Sequence, residues 1–222
     1  MDSKRGNERS LIFSYLQLRT VIGLLGIALP FVLAFGALLL FGAGIQTSIS
    51  SYYHTGMRDV LVGTLFAVGF FLLSYRGYDR RDNIAGNLAC LFAVGVALFP
   101  TAPDGAVTNA ARVIGQVHTA SAALLFLTLA YFSLFLFTQT DPNKTPSKRK
   151  LQRNRVYKAC GYVIGVCILL IATYYFLPDE VASRLGGYRP VYWLETLALL
   201  AFGFSWFTKG EAILKDEGEL PG

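Results

Sequence analysis

Charge is what this chain has least of. Asp, Glu, Lys and Arg supply 15% of its 222 residues, where a soluble domain carries about 25% to cover its surface. A water-facing globule is excluded on that ground. Disorder is excluded as well, because disordered chains are aromatic-poor and charge-rich, whereas this one is 54% apolar and 14% aromatic. Cysteine is scarce too. Cys90, Cys160 and Cys167 all lie in apolar runs, with no Cys-x-x-Cys or Cys/His spacing, so they read as small packing residues and not as redox or metal groups. The chain contains no Gly-x-Ser-x-Gly and no His-x-x-x-His, which removes the nucleophile-elbow hydrolases and the helical zinc pair from consideration.

What is present is long apolar sequence. A membrane-spanning helix needs about 20 largely apolar residues, and six segments approach or reach that: Thr20–Phe41, Asp59–Tyr75, Ile84–Thr101, Val113–Thr138, Val156–Leu177 and Val191–Thr208. The second, third and sixth are short, so their helices are expected to run on into flanking polar residues. The first is too long for a cleaved signal and reads as a retained helix; its Pro30 is tolerable where neighbouring helices satisfy freed backbone. The expected fold is all-α, an integral membrane bundle of six transmembrane helices over residues 20–208, with a cytoplasmic segment 1–19 before it and a cytoplasmic tail 209–222 after it. Aromatic pairs at span ends (Tyr52 and Tyr53, Tyr75 and Tyr78, Tyr174 and Tyr175, Tyr192 and Trp193, Trp206 and Phe207) read as interfacial belts.

The net charge of +6 does not point to nucleic acid, because the basic residues flank apolar segments. Sixteen lysines and arginines fall on one side of the six spans, against Arg58, Arg112, Arg184 and Arg189 on the other. The positive-inside rule then places both termini in the cytoplasm. The loop 140–158 holds seven of the sixteen, from Lys144 to Lys158, and would meet anionic headgroups if it does more than set topology. Two small-residue faces suit close helix contact within the bundle, Ala85-Ala89-Ala93-Ala97 in the third span and Gly161-x-x-x-Gly165 in the fifth.

Ionisable residues in or beside the spans are few and lie in the non-cytoplasmic layer: His54, Asp59, His118 and Glu195, with the inner halves almost bare. His118 lies about 7–8 Å into its span and Glu195 about 6 Å, at 1.5 Å per residue. Three readings fit these residues. Two imidazoles and a carboxylate (His54, His118, Glu195) could hold a zinc-like divalent ion that activates water. A His–carboxylate pair could instead act as general base on a lipid ester, with Ser48, Ser50 or Ser51 as nucleophile and Arg58 and Arg112 as headgroup contacts. Or the same groups only hydrogen-bond across helices and cap the second span. Ion passage is disfavoured, since a pathway would need polar residues at all depths.

The run Thr47-Ser48-Ile49-Ser50-Ser51-Tyr52-Tyr53-His54-Thr55-Gly56-Met57-Arg58-Asp59-Val60 resembles a bacterial and archaeal membrane family of unknown function related to the six-helix DRAM-like superfamily. Members share an Ile-Ser motif in the first outer loop, here Ile49-Ser50, and a histidine early in the fourth span, here His118. The resemblance implies six helices in a bacterial or archaeal plasma membrane and membrane lipids as partners. A looser similarity is to alkaline-ceramidase-like hydrolases, which hold zinc with three histidines and an aspartate in seven spans; this chain has two histidines.

Overall fold

The computed structural model describes residues 2–75, 77, 79–103, 105, 108–140 and 145–214, with side chains from Tyr15 onward. Seven α-helices and no strand occur among them: α1 (Asp2–Phe41), α2 (Arg58–Ser74), α3 (Arg80–Leu98), α4 (Asn109–Tyr131), α5 (Lys148–Tyr175), α6 (Asp179–Gly186) and α7 (Pro190–Lys209). A 3₁₀ turn at Ser50–His54 precedes α2, and a wide π turn at Phe132–Leu136 prolongs α4. Each apolar segment is thus a helix, and α6 is the element the sequence reading lacks. Its eight residues hold no apolar run long enough to register.

Four helices are long and apolar enough to cross a membrane, over Tyr15–Phe41, Asn109–Leu136, Lys148–Tyr175 and Pro190–Lys209. This is narrower than the six expected. With 17 residues, α2 reaches about 25 Å at 1.5 Å per residue, short of a hydrocarbon core of about 30 Å. Helix α3 spends its first turn on Arg80-Arg81-Asp82. The outward faces favour lipid over water: Leu39 on α1 is 78% exposed, Leu169 on α5 66% and Phe135 beyond α4 59%, a distribution that soluble monomers avoid.

Local signals fix the helix starts. Asp79 and Asp82 form a reciprocal capping box on α3, Thr108 accepts from Ala111 N on α4, and Ser147 accepts from Lys150 N on α5. The Ser147 cap makes Lys148–Lys158 helix, so most of the basic stretch expected as a loop is the first three turns of α5; Asp141 to Lys144 lie outside the described residues, as do Arg76, Tyr78, Asp104 and the tail from 215.

Helices α1 and α7 run antiparallel in close contact, which puts the start of α1 and the end of α7 at one end of the bundle. At their crossing a Cβ on Gly23 would stand 2.8 Å from the Gly203 carbonyl, and one on Gly203 2.6 Å from that of Gly23. Only glycine permits that approach. The alanine face of α3 lies within the bundle: Ala89 and Ala93 are fully buried, Gly69 of α2 faces Ala93, and Gly86 faces the Leu72 carbonyl. Gly161 packs on Leu134, while nothing lies within 4 Å of a Cβ at Gly165, so that motif contributes one contact and not a seam.

At the end holding the termini, Trp206 is the centre of an aromatic hub. Its ring lies 5.1 Å from Tyr75, 5.1 Å from Phe137 and 5.8 Å from Phe132. A separate apolar core at the other end gathers Leu29, Leu33, Ile49, Tyr52, Met57 and Tyr192. Tyr52, Tyr75, Tyr192 and Trp206 are therefore core residues and not belt residues. Adjacent residues on a helix lie about 100° apart, so in a pair such as Tyr192-Trp193 one ring turns inward while the other, 53% exposed Trp193, faces out.

Candidate functional site

The segment between α1 and α2 is built on hydroxyls. Ser48 Oγ accepts from Ser51 N at 3.0 Å, and Ser51 Oγ lies 2.8 Å from both Ser48 Oγ and Thr47 Oγ1. The turn leaves the amides of Ile49 and Ser50 aimed at α7. Glu195 meets the first of them: its Oε2 accepts from Ile49 N at 2.6 Å. A carboxyl oxygen on an otherwise unpaired amide ties the turn to α7. The Ile49-Ser50 motif thus contributes the Ile49 backbone. Tyr52, which follows, is fully buried; burial raises its phenol above the ordinary value, opposed by the hydrogen bond from Gln46 N.

Both histidines grip the chain after α3. His118 Nδ1 lies 2.6 Å from the Phe99 carbonyl and His54 Nε2 lies 2.8 Å from that of Thr101. A carbonyl only accepts, so each of these nitrogens carries a proton. In neutral His118 the lone pair then sits on Nε2.

His118, Glu195, Ser48 and Ser50 share one cavity of about 150 Å³, whose deeper wall is Ala122, Phe126, Ile168, Ile171 and Ala172 of α4 and α5. A larger opening of about 710 Å³ adjoins it, shares Ser48, Thr101, Thr119, Ala123 and Tyr175 with it, and carries Arg112 and Arg189. The combined space runs from a polar mouth at the end away from the termini to an apolar slot between α4 and α5.

The predicted residues divide accordingly. His118, Glu195, Ser48 and Ser50 meet at the inner cavity, and Arg112 and Ser51 line the mouth. His54, Asp59 and Arg58 stand apart: all three are exposed, with Arg58 Nε 3.3 Å from Asp59 Oδ1. Among the described residues no three His, Cys, Asp or Glu side chains come together as an ion would require. His54, His118 and Glu195 do not come together as a zinc set, because His118 and Glu195 line the inner cavity while His54 stands exposed outside it.

Two features escaped the sequence reading. Arg189, at the mouth, stands between Tyr188 and Pro190; the sequence marks it only as loop charge. The end near the termini is not bare, since Asp82 is fully buried and Lys209 is 8% exposed. Arg19 lies there too, its guanidinium 4.4 Å from the Tyr15 ring centre and its Nη1 donating to the Lys209 carbonyl. These charges flank apolar runs in sequence and are drawn together only by the packing of α1, α3 and α7. No family model, curated protein or solved structure matches the chain significantly.

Proposed function

We propose that the chain is a six-span membrane protein that takes a membrane lipid from the outer leaflet into the cavity between α4, α5 and α7. The observation that carries this is the continuity of a polar mouth with an apolar slot, the shape an amphiphile needs. Tyr174 and Tyr175 line the mouth, and their sequence neighbour Phe176 and the nearby Tyr188 and Trp193 are exposed, which suits the headgroup level of a bilayer. Helices α2 and α3 complete the six as a tightly packed pair, each with apolar side chains outward, such as Phe70 and Leu91. The sixteen-to-four basic asymmetry supports cytoplasmic termini, and the resemblance of 47–60 to a bacterial and archaeal six-helix family supports a plasma-membrane setting.

Orientation is checked by thiol labelling. Cys90, Cys160 and Cys167 are buried, so the native chain serves as background. A membrane-impermeant maleimide should label Arg184→Cys in intact cells and leave Lys148→Cys unlabelled until the membrane is opened. The opposite pattern inverts the topology and moves the cavity to the cytoplasmic leaflet.

Lipid occupancy is checked by native mass spectrometry of purified protein. Wild type should retain lipid through detergent exchange. Ala123→Trp, at a residue common to mouth and slot, should lose most of it while keeping the wild-type unfolding transition. A wild type that carries no lipid under the mildest conditions overturns the reading and leaves Glu195 and His118 as interhelical ties.

A further inference from the structure

Arg112 and Arg189 line the mouth together, and among the described residues no Asp or Glu shares it. Neither arginine takes part in a salt bridge among the described residues. They arrive from opposite walls, Arg112 from the first turn of α4 and Arg189 from the N-cap of α7. The other described polar wall groups are neutral, including Thr47, Ser51 and Gln116, and Glu195, on the inner cavity, is engaged by the Ile49 amide. Among the described residues the mouth therefore holds two cations and no counter-charge, a setting that attracts an anion. Guanidinium is also the side chain whose planar fork matches phosphate oxygens.

Arg189 is placed at a backbone cost. Its φ of +53° and ψ of +49° are left-handed, a conformation that disfavours side chains with a Cβ and that glycine would adopt freely. Gly186 and Gly187, two and three residues earlier, do not occupy it.

Resting on the lipid-binding reading above, we infer that the occupant carries an anionic phosphate headgroup, held between Arg112 and Arg189, with its acyl chain in the slot between α4 and α5. The phosphate is that of a lipid, because the mouth opens directly onto apolar walls that a free anion would leave empty.

The experiment titrates detergent-solubilised protein with short-chain phosphatidylglycerol, with a diacylglycerol of the same chains, and with inorganic phosphate. Phosphatidylglycerol should bind saturably, one per chain, at least about tenfold more tightly than diacylglycerol. Arg112→Gln should remove roughly tenfold of that affinity. Arg189→Gly, which relaxes the left-handed backbone and so protects folding, should do the same while diacylglycerol binding stays put. Equal affinity for the two lipids in wild type overturns the phosphate inference and leaves lipid binding intact. Competition by inorganic phosphate at lipid-like concentrations also overturns it, since the site would then recognise the free anion. No binding of either lipid removes this inference together with the reading beneath it.

Discussion

Trp206→Ala should be the most damaging single change in the bundle, costing about 3 kcal/mol, the low end for deleting a buried Trp side chain. The low end applies because helices in lipid gain little from hydrophobic transfer and depend on packing. Trp206 is fully buried, and its ring meets Tyr75, Phe132, Phe137 and Phe202 at 5.1 to 6.0 Å. Truncation to Ala strips those rings of dispersion partners on one side and leaves a void where α7 meets α4 and the end of α2. Trp206→Phe should cost less than about 1.5 kcal/mol, because the indole Nε1 has no hydrogen-bond partner to lose. Equilibrium unfolding in mixed micelles would show both. A Trp206→Ala transition within 1 kcal/mol of wild type, taken as about a fivefold change in equilibrium constant, would mean that the hub does not hold the bundle.

Glu195→Ala should release the segment that closes the cavity. The change leaves the amide of Ile49 without its carboxyl acceptor, and an unsatisfied buried donor costs about 1–3 kcal/mol. Amide hydrogen exchange at Ile49 should accelerate roughly tenfold or more, with the aromatic hub at the far end unaffected. Glu195→Gln keeps a carbonyl oxygen to accept and should retain most of the protection. Unchanged exchange in Glu195→Ala would show that the 3₁₀ turn is held by Tyr52 and Ile49 packing, and that the carboxylate is there for another purpose.

The parts of this molecule that periodicity encodes were legible in its sequence. Six apolar runs became six helices, and the alanine face of α3 is buried as its four-residue spacing implies. What was not legible depends on which partner a side chain meets. Sequence order placed His54 and Asp59 beside His118 and Glu195 in one polar layer, but depth along the membrane is only one coordinate. Azimuth around each helix separates them, so His54 and Asp59 face out while the other two share a cavity. Arg189 was hidden for a related reason: its importance comes from the far wall, where Arg112 sits. Asp82 and Lys209 were hidden because a charge next to an apolar run reads as the run's end, although here α3 and α7 carry theirs into the interior.

The wide turn at Phe132–Leu136 bears on how α4 serves both ends of the bundle. It closes with Phe137 N donating to Phe132 O at 2.9 Å, a five-residue step, which is what one extra residue makes of a regular helix. Each residue added to a helix rotates everything beyond it by about 100°. At about 100° per residue His118, Leu125, Phe132 and Leu136 fall on one face of α4 and its extension, and all four are buried. Phe137 would stand about 100° round from Leu136 on a regular helix, yet it is fully buried against Trp206. The turn thus absorbs one residue and brings Phe137 inward, so a further single-residue insertion there would rotate Phe137 away from the hub by about 100°.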